Sequence, residues 1–136
     1  DGWYRTGDYG ELDAHGALRL VGRTRSLIAL PNGMNVHPED VEAALVAEGI
    51  VEPCVYDAGN GRIAVAYREG AAFGDAVEGE AAAVVRAIKA ANMRLAPHQR
   101  VVEQAPFPEP DFPRTHTRKV QRSVVAARMI SLKKAA

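Results

Sequence analysis

The chain has 136 residues, enough for one domain with a buried core. Its hydrophobic fraction of 47% and charged fraction of 25% are ordinary for a globular protein. Lysine and arginine together number 17, as do aspartate and glutamate; with no net charge, a nucleic-acid binder acting through bulk charge is argued against, though a local basic patch stays open.

Residues 1–23 read as a β-hairpin. Tyr9–Leu12 forms one arm and Ala17–Gly22 the other, with Asp13-Ala14-His15-Gly16 as the turn. Residues 24–37 follow as a second short hairpin, Leu27–Leu30 against Met34–Val36, around Pro31-Asn32-Gly33. Gly33 suits a sharp backbone turn or the close approach of another group. A helix is predicted over about 38–48, because Pro38 loses nothing at a first helical position and Glu39, Asp40 and Glu42 put negative charge at the positive end of the helix dipole. Val41, Ala44 and Leu45 make its apolar stripe, and Gly49 ends it.

Ile50–Asp57 and Arg62–Arg68 read as a strand pair around Gly59-Asn60-Gly61, with Pro53 at a strand start or an edge. Ile63, Val65 and Tyr67 share one face of the second strand. A helix is predicted over about 76–94, capped by Asp75 with Glu78 completing a capping box, and Val77, Ala81, Val84, Val85 and Ile88 as its apolar face. Arg100–Ala105 should be a third strand. The four prolines between 106 and 113 predict a surface loop running to Arg118, and a last helix should run from about Gln121 to Leu132. This order implies a small α+β domain, a three-stranded sheet flanked by helices and preceded by β-hairpins.

Cys54 is the sole cysteine, so no internal disulfide forms, and its apolar strand-like setting makes it a core residue rather than a nucleophile. No signal-peptide pattern is visible and no apolar run is long enough to span a bilayer, so the expected location is cytoplasmic. The sequence starts with Asp and opens mid-pattern, so a fragment of a longer protein is expected.

Four clusters have the residue types that carry chemistry. Tyr4-Arg5-Thr6-Gly7-Asp8 is either a turn before a strand or a polar site. Arg23 and Arg25, two apart on an extended chain, point the same way and suit a phosphate or a ribose, or simply a solvated strand end. The Asn32–Asn35 turn is either a plain hairpin turn or a loop presented to another surface. The segment 113–122 crowds Arg114, His116, Arg118, Lys119 and Arg122 just ahead of a helix, which suits an anion or a solvated basic patch. A lysine on a flexible stem can bridge a carboxylate and a phosphate as charge builds between them. No zinc-protease, nucleophile-elbow, phosphate-loop or dinucleotide motif is present, and His15, His37, His98 and His116 lie in unrelated contexts, so no metal site is expected.

Taken together and in this order, the clusters resemble the C-terminal domain of the adenylate-forming superfamily: acyl-CoA synthetases, peptide-synthetase adenylation domains and luciferases. WYRTGD at 3–8 looks like that family's ribose-binding motif, GRTRSLIALPNGMNVHPEDVEAAL at 22–45 like its hinge-and-loop motif, and FPRTHTRKVQR at 112–122 like its terminal lysine motif. The resemblance covers nearly the whole chain. It implies adenylation of a carboxylate by MgATP, then thioester formation with coenzyme A or a carrier-protein thiol, with a small domain swinging between the two steps. On this resemblance residues 1–24 close a large N-terminal domain and 25–136 form the mobile lid. Asp8 would hold the ribose hydroxyls, Arg23 would assist at ribose and phosphate, and Arg25 would be the hinge. Lys119 would touch carboxylate and α-phosphate, and Gly33 would line the pantetheine tunnel. The phosphate loop, acyl pocket and Mg2+ ligands would lie in the N-terminal domain, the chain's own partner, so this polypeptide alone should not turn over.

Two residues depart from the family pattern. The hinge is usually Asp or Lys and is Arg25 here; Gly usually precedes the lysine and is Arg118 here, which is strained if that position needs positive φ. The wording of the second motif leans toward fatty-acid-activating members. A peptide-synthetase adenylation domain and a non-catalytic interaction module of the same fold are the alternatives.

Overall fold

The structure, a computed structural model, describes the backbone of Asp8–Leu12 and Leu18–Arg23 and, in full, residues 27–135. The ribose-motif residues before Asp8, the turn 13–17 and the hinge residue Arg25 lie outside the described residues. β1 (Asp8–Leu12) pairs antiparallel with β2 (Leu18–Arg23), with a register shift between Tyr9 and Gly10. The first hairpin is therefore where the sequence puts it, and its pairing sets Asp8 opposite Arg23.

β3 (Ile28–Ala29) and β4 (Asn35–Val36) form the second hairpin, with Ile28 opposite Val36 and both buried. α1 (Pro38–Ala47) starts on its proline, with Glu39 and Asp40 in the first turn. Gly49, at φ +101°, lets the chain reverse: its N–H bonds Val46 O at 2.9 Å and the Ile50 N–H bonds Leu45 O at 3.2 Å. These two bonds are the Schellman pair, and Leu45 and Ile50 bury together beside them.

The main sheet has the order β5-β6-β7, from β5 (Cys54–Asp57), β6 (Ile63–Arg68) and β7 (Glu103–Phe107). β5 runs antiparallel to β6, and β7 parallel to it. Alternation divides the side chains between two cores. Val55, Ile63, Val65 and Tyr67 pack with Val41 and Leu45 of α1 and with Val84 and Ile88 of α2 (Glu80–Arg94). On the other face Cys54, Tyr56, Ala64 and Ala66 pack with Phe107, Phe112, and Val125 and Met129 of α3 (Arg122–Ala135). Both faces of the central strand are covered, which is why all five residues from Ile63 to Tyr67 are buried. The α+β fold with helices flanking a three-stranded sheet is as the sequence implies, and Pro53 stands just ahead of β5.

Several boundaries differ from the sequence expectation: β5 begins at Cys54 rather than Ile50, and α3 runs to Ala135 rather than Leu132. α2 begins at Glu80, not near 76, because the Glu80 carboxylate is taken by the loop before it, accepting from Gly70 N at 2.8 Å and Ala72 N at 3.0 Å. Gly79, at φ +69°, is the N-cap instead of Asp75, Val77 is exposed, and the buried face is Val84, Ala87, Ile88 and Ala91. The third strand begins at Glu103, because the Asn92 amide occupies both backbone groups of Val101, at 2.9 and 3.0 Å. It also runs on through Pro106, which sits in an edge strand where a missing ladder donor is tolerated.

Candidate functional site

The Pro31-Asn32-Gly33 turn and the Lys119 loop are closed by the same hydrogen bonds. Leu30 N donates to Met34 O at 2.8 Å, and Gly33 N to Leu30 O at 3.0 Å. Thr115 N donates to Lys119 O at 2.8 Å, and Arg118 N to Thr115 O at 2.9 Å. Each is a three-residue hairpin loop whose last residue must be left-handed, Gly33 at φ +87° and Arg118 at φ +70°. The segment after Pro113 is thus an ordered hairpin, with Arg114 bridged to Val120, rather than an irregular loop.

Lys119 follows the left-handed residue. Its backbone is fixed twice by Thr115, through the bond above and through its own N–H to Thr115 Oγ1 at 3.2 Å. Its side chain is exposed, and among the described residues no hydrogen bond or ion pair holds the ammonium.

The other cations of the segment are divided in use. Arg114 is only 11% exposed and is consumed internally. Its terminal nitrogens fork onto Glu52 at 3.0 and 2.8 Å, its Nε lies 3.1 Å from both oxygens of Asp111, and Nη1 also donates to Arg118 O at 3.2 Å. The bonds from Arg114 hold the Glu52 and Asp111 carboxyls below their usual range, and those two carboxylates raise the guanidinium in turn. Arg122 is half-buried and gives Nη1 to Glu42 and to Val55 O, the latter at 2.8 Å. Glu42 also accepts from Val55 N at 2.8 Å; burial nonetheless pushes its carboxyl up, against the pull of Arg122. Arg118 is 77% exposed, with Asp111 at 3.8 Å as its ion partner. Of the cluster read from sequence, Arg118 and Lys119 are therefore exposed, while Arg114 and Arg122 are spent on carboxylates of the domain itself.

A cleft of about 420 Å³ lies beside the hairpin, bordered by Glu52, Pro53 and Cys54 at the start of β5 and by Lys119 and Arg122. Cys54 at its floor is buried, and burial pushes its thiol up to about 12, so it packs rather than attacks. The Gly33 turn lies elsewhere. Its Leu30 and Pro31 meet Gly61, where an added Cβ would fall 2.7 Å from Leu30 Cδ2, and Gly61 lies beyond the far end of β5. The two loops thus lie toward opposite ends of β5, whose length is about 10 Å at the usual rise per residue. Gly33 is exposed, and a Cβ there would meet nothing within 4 Å among the described residues. Asp8 and Arg23 stand opposite each other in the backbone register, and their side chains lie outside the described residues.

The pairing of Glu52 and Glu42 with these arginines carried no sequence signal, because the partners are 62 and 80 residues away. Asp111 was within reach of inspection, three residues before Arg114. Among the described residues no group of three His, Cys, Asp or Glu could hold a metal ion, and no helix is long and apolar enough to cross a membrane.

Comparison with known proteins agrees with this architecture. The AMP-binding enzyme C-terminal domain matches residues 25–131. Long-chain-fatty-acid–CoA ligase 1 of Schizosaccharomyces pombe is 40% identical over 57 residues, which are 41% of this chain and 8% of that ligase. 2-Succinylbenzoate–CoA ligase of Bacillus velezensis is 44% identical over 59 residues, 43% of this chain and 11% of that ligase. The solved O-succinylbenzoate coenzyme A synthetase of Bacillus subtilis, in complex with ATP and magnesium, superposes with a TM-score of 0.67 at 26% identity, over 92% of this chain and 24% of its own. A fatty acyl-adenylate ligase from work on the Escherichia coli and Legionella pneumophila enzymes shares the fold at a TM-score of 0.69, 24% identity, over 99% of this chain and 23% of its own. The chain spans about a quarter of the length of these solved proteins, and its matches cover about a tenth of the two curated ligases. With its family match spanning most of its length, the chain belongs to the family of AMP-binding enzyme C-terminal domains.

Proposed function

We propose that the chain is the mobile lid of an ATP-dependent acyl-CoA synthetase, an AMP-forming acid–thiol ligase acting on fatty acids. Residues 1–24 would close the large domain and 25–136 would form the lid, a division supported by a family match that begins at residue 25. The observation that carries the reading is the presentation of Lys119: a backbone held twice by Thr115, an exposed ammonium without a partner among the described residues, and Arg114 and Arg122 already paired with carboxylates. Such a group, docked over a nucleotide on another domain, would stabilise charge building between an attacking carboxylate and an α-phosphate.

ATP supplies the activated phosphoryl centre of that step, and the exposed Arg118–Lys119 pair fits its anionic phosphates. Mg2+ would be held by the large domain. Asp8, opposite Arg23 in the hairpin register, would take the ribose hydroxyls, with Arg23 reaching ribose and phosphate. Arg25 would be the hinge. Gly33, at the other end of β5, would line the pantetheine tunnel when the lid turns for thioester formation with coenzyme A. The separation of the two loops supports a lid that offers one end for each half-reaction.

The test is Lys119→Ala in the full-length protein. Carboxylate-dependent pyrophosphate release should fall by about 10²–10³-fold, with thioester formation from supplied acyl-adenylate much less affected. Equal loss in both half-reactions, or none in either, rejects the assignment. The isolated chain should release no pyrophosphate with ATP and a panel of fatty acids.

A further inference from the structure

We propose that Glu52 is a positioning residue for Lys119, acting through the Arg114 guanidinium; this rests on the reading of Lys119 given above. Glu52 lies outside every motif read from the sequence. It stands immediately before Pro53, at φ +50°, a backbone region that side-chain-bearing residues enter at a cost. Strain of this kind persists where surrounding bonds over-determine the conformation; here the Val51 N–H bonds Ala72 O at 2.7 Å just ahead of Glu52, and the Glu52 carboxylate adds its own bonds. Oε1 accepts Arg114 Nη2 at 2.8 Å and pairs with Arg68 Nη2 at 3.2 Å, while Oε2 accepts Arg114 Nη1 at 3.0 Å.

Arg68 is the last residue of the central strand, so the carboxylate is anchored to the middle of the sheet. From there the chain of contacts runs outward. Arg114 Nη1 reaches the Arg118 carbonyl at 3.2 Å, and Arg118 is the second left-handed, side-chain-bearing residue of this linkage. That carbonyl belongs to the peptide bond that leads into Lys119. The tip of the hairpin, 116–119, is exposed and has no apolar side chain to seat it. Phe112 and Val120 seat the base of the hairpin in the core beneath α3, and the polar bridge from Glu52 through Arg114 ties the Arg118 carbonyl at its tip to the sheet. The Arg114 guanidinium spends its donors on Glu52, Asp111 and Arg118, which leaves it to hold the loop rather than to touch substrate.

An arginine fork onto a carboxylate fixes direction as well as distance. An amide in place of the carboxylate keeps the volume of Glu52 but offers one acceptor oxygen instead of two, so the fork is lost and Lys119 gains freedom to miss its target. Displacement of about an ångström in a group that must meet a developing charge is enough to slow a reaction substantially.

The experiment uses the full-length protein with Glu52→Gln, with Arg114→Lys as a second variant that also abolishes the fork. Both should lower kcat for adenylation by roughly tenfold to a hundredfold, with KM for ATP and the rate of thioester formation from supplied acyl-adenylate within about twofold of the parent. Adding Glu52→Gln to Lys119→Ala should cost nothing beyond Lys119→Ala alone, because a residue that acts only through Lys119 has nothing left to position. Multiplying losses in the double variant, or an equal fall in both half-reactions, would overturn the inference and leave Glu52 a stabilising contact. If Lys119→Ala alone leaves adenylation intact, the reading of the lysine fails as well.

Discussion

Gly33 and Arg118 occupy the same position in two copies of one three-residue hairpin loop. Both are left-handed, at φ +87° and +70°, and both donate their N–H to the residue three before, at 3.0 and 2.9 Å. Glycine takes that position freely, whereas a side chain there crowds the following carbonyl. The glycine that usually precedes the family's lysine is thus explained by loop geometry. Arginine in its place preserves the loop, with the Arg114–Arg118 bond among the contacts that hold it.

Replacing Arg118 with glycine should remove that crowding. Urea unfolding should show a gain of about 0.5–1 kcal/mol, the relief of the left-handed side chain being partly offset by the greater freedom of glycine in the unfolded chain. The backbone bonds of the loop do not involve the side chain, so Lys119 should stay where it is. A loss of stability would mean that the Arg118 side chain contributes more than its 3.8 Å contact with Asp111 indicates.

Gly33 and Gly61 are both left-handed, but they should respond differently to alanine. At Gly61 the new Cβ would lie 2.7 Å from Leu30 Cδ2 and 2.9 Å from Pro31 Cδ, so the loop must move as well as accept strain. At Gly33 it meets nothing within 4 Å among the described residues. Gly33→Ala should cost about 1 kcal/mol, and Gly61→Ala about 2 kcal/mol or more. If Gly33 lines a thiol's path, its variant should also slow thioester formation while leaving adenylation within about twofold of the parent. Equal melting shifts for the two variants would refute the steric argument.

Acid should loosen the Lys119 hairpin through Glu52. The bonds from Arg114 hold its folded carboxyl below the ordinary value of 4.5. A carboxyl depressed by folding stabilises fully above its unfolded value and loses that contribution as pH falls through the lower folded value. Asp111 acts in the same sense through the same arginine. Glu42, raised by burial, acts in the opposite sense, so the comparison is made against Glu52→Gln rather than by the shape of one curve. The variant should melt below the parent at neutral pH, and the two melting curves should converge as pH falls from the ordinary carboxyl value of 4.5 through the depressed folded one. Parallel curves across that range would show that the Glu52 charge adds nothing to stability.

The amino-acid sequence by itself determined the features governed by near neighbours. Pro38 starting α1, Gly49 ending it, the glycine turns, and the alternation of Ile63, Val65 and Tyr67 follow from backbone and side-chain preferences acting over a few residues. The order of the motifs likewise gave the α+β fold and the lysine set before the last helix. Only the tertiary structure decided which charges remain available. Arg114 and Arg122 look like Arg118 on paper, yet their partners Glu52 and Glu42 come from residues 62 and 80 positions away, brought near by the packing of helices on the sheet. The same cause moved two boundaries. Glu80 and Asn92 spend their side chains on the backbone of neighbouring loops, at Ala72 and Val101, so α2 and β7 begin later than local propensity indicates. A backbone donor satisfied by a folded neighbour no longer needs the partner that sequence alone would assign it.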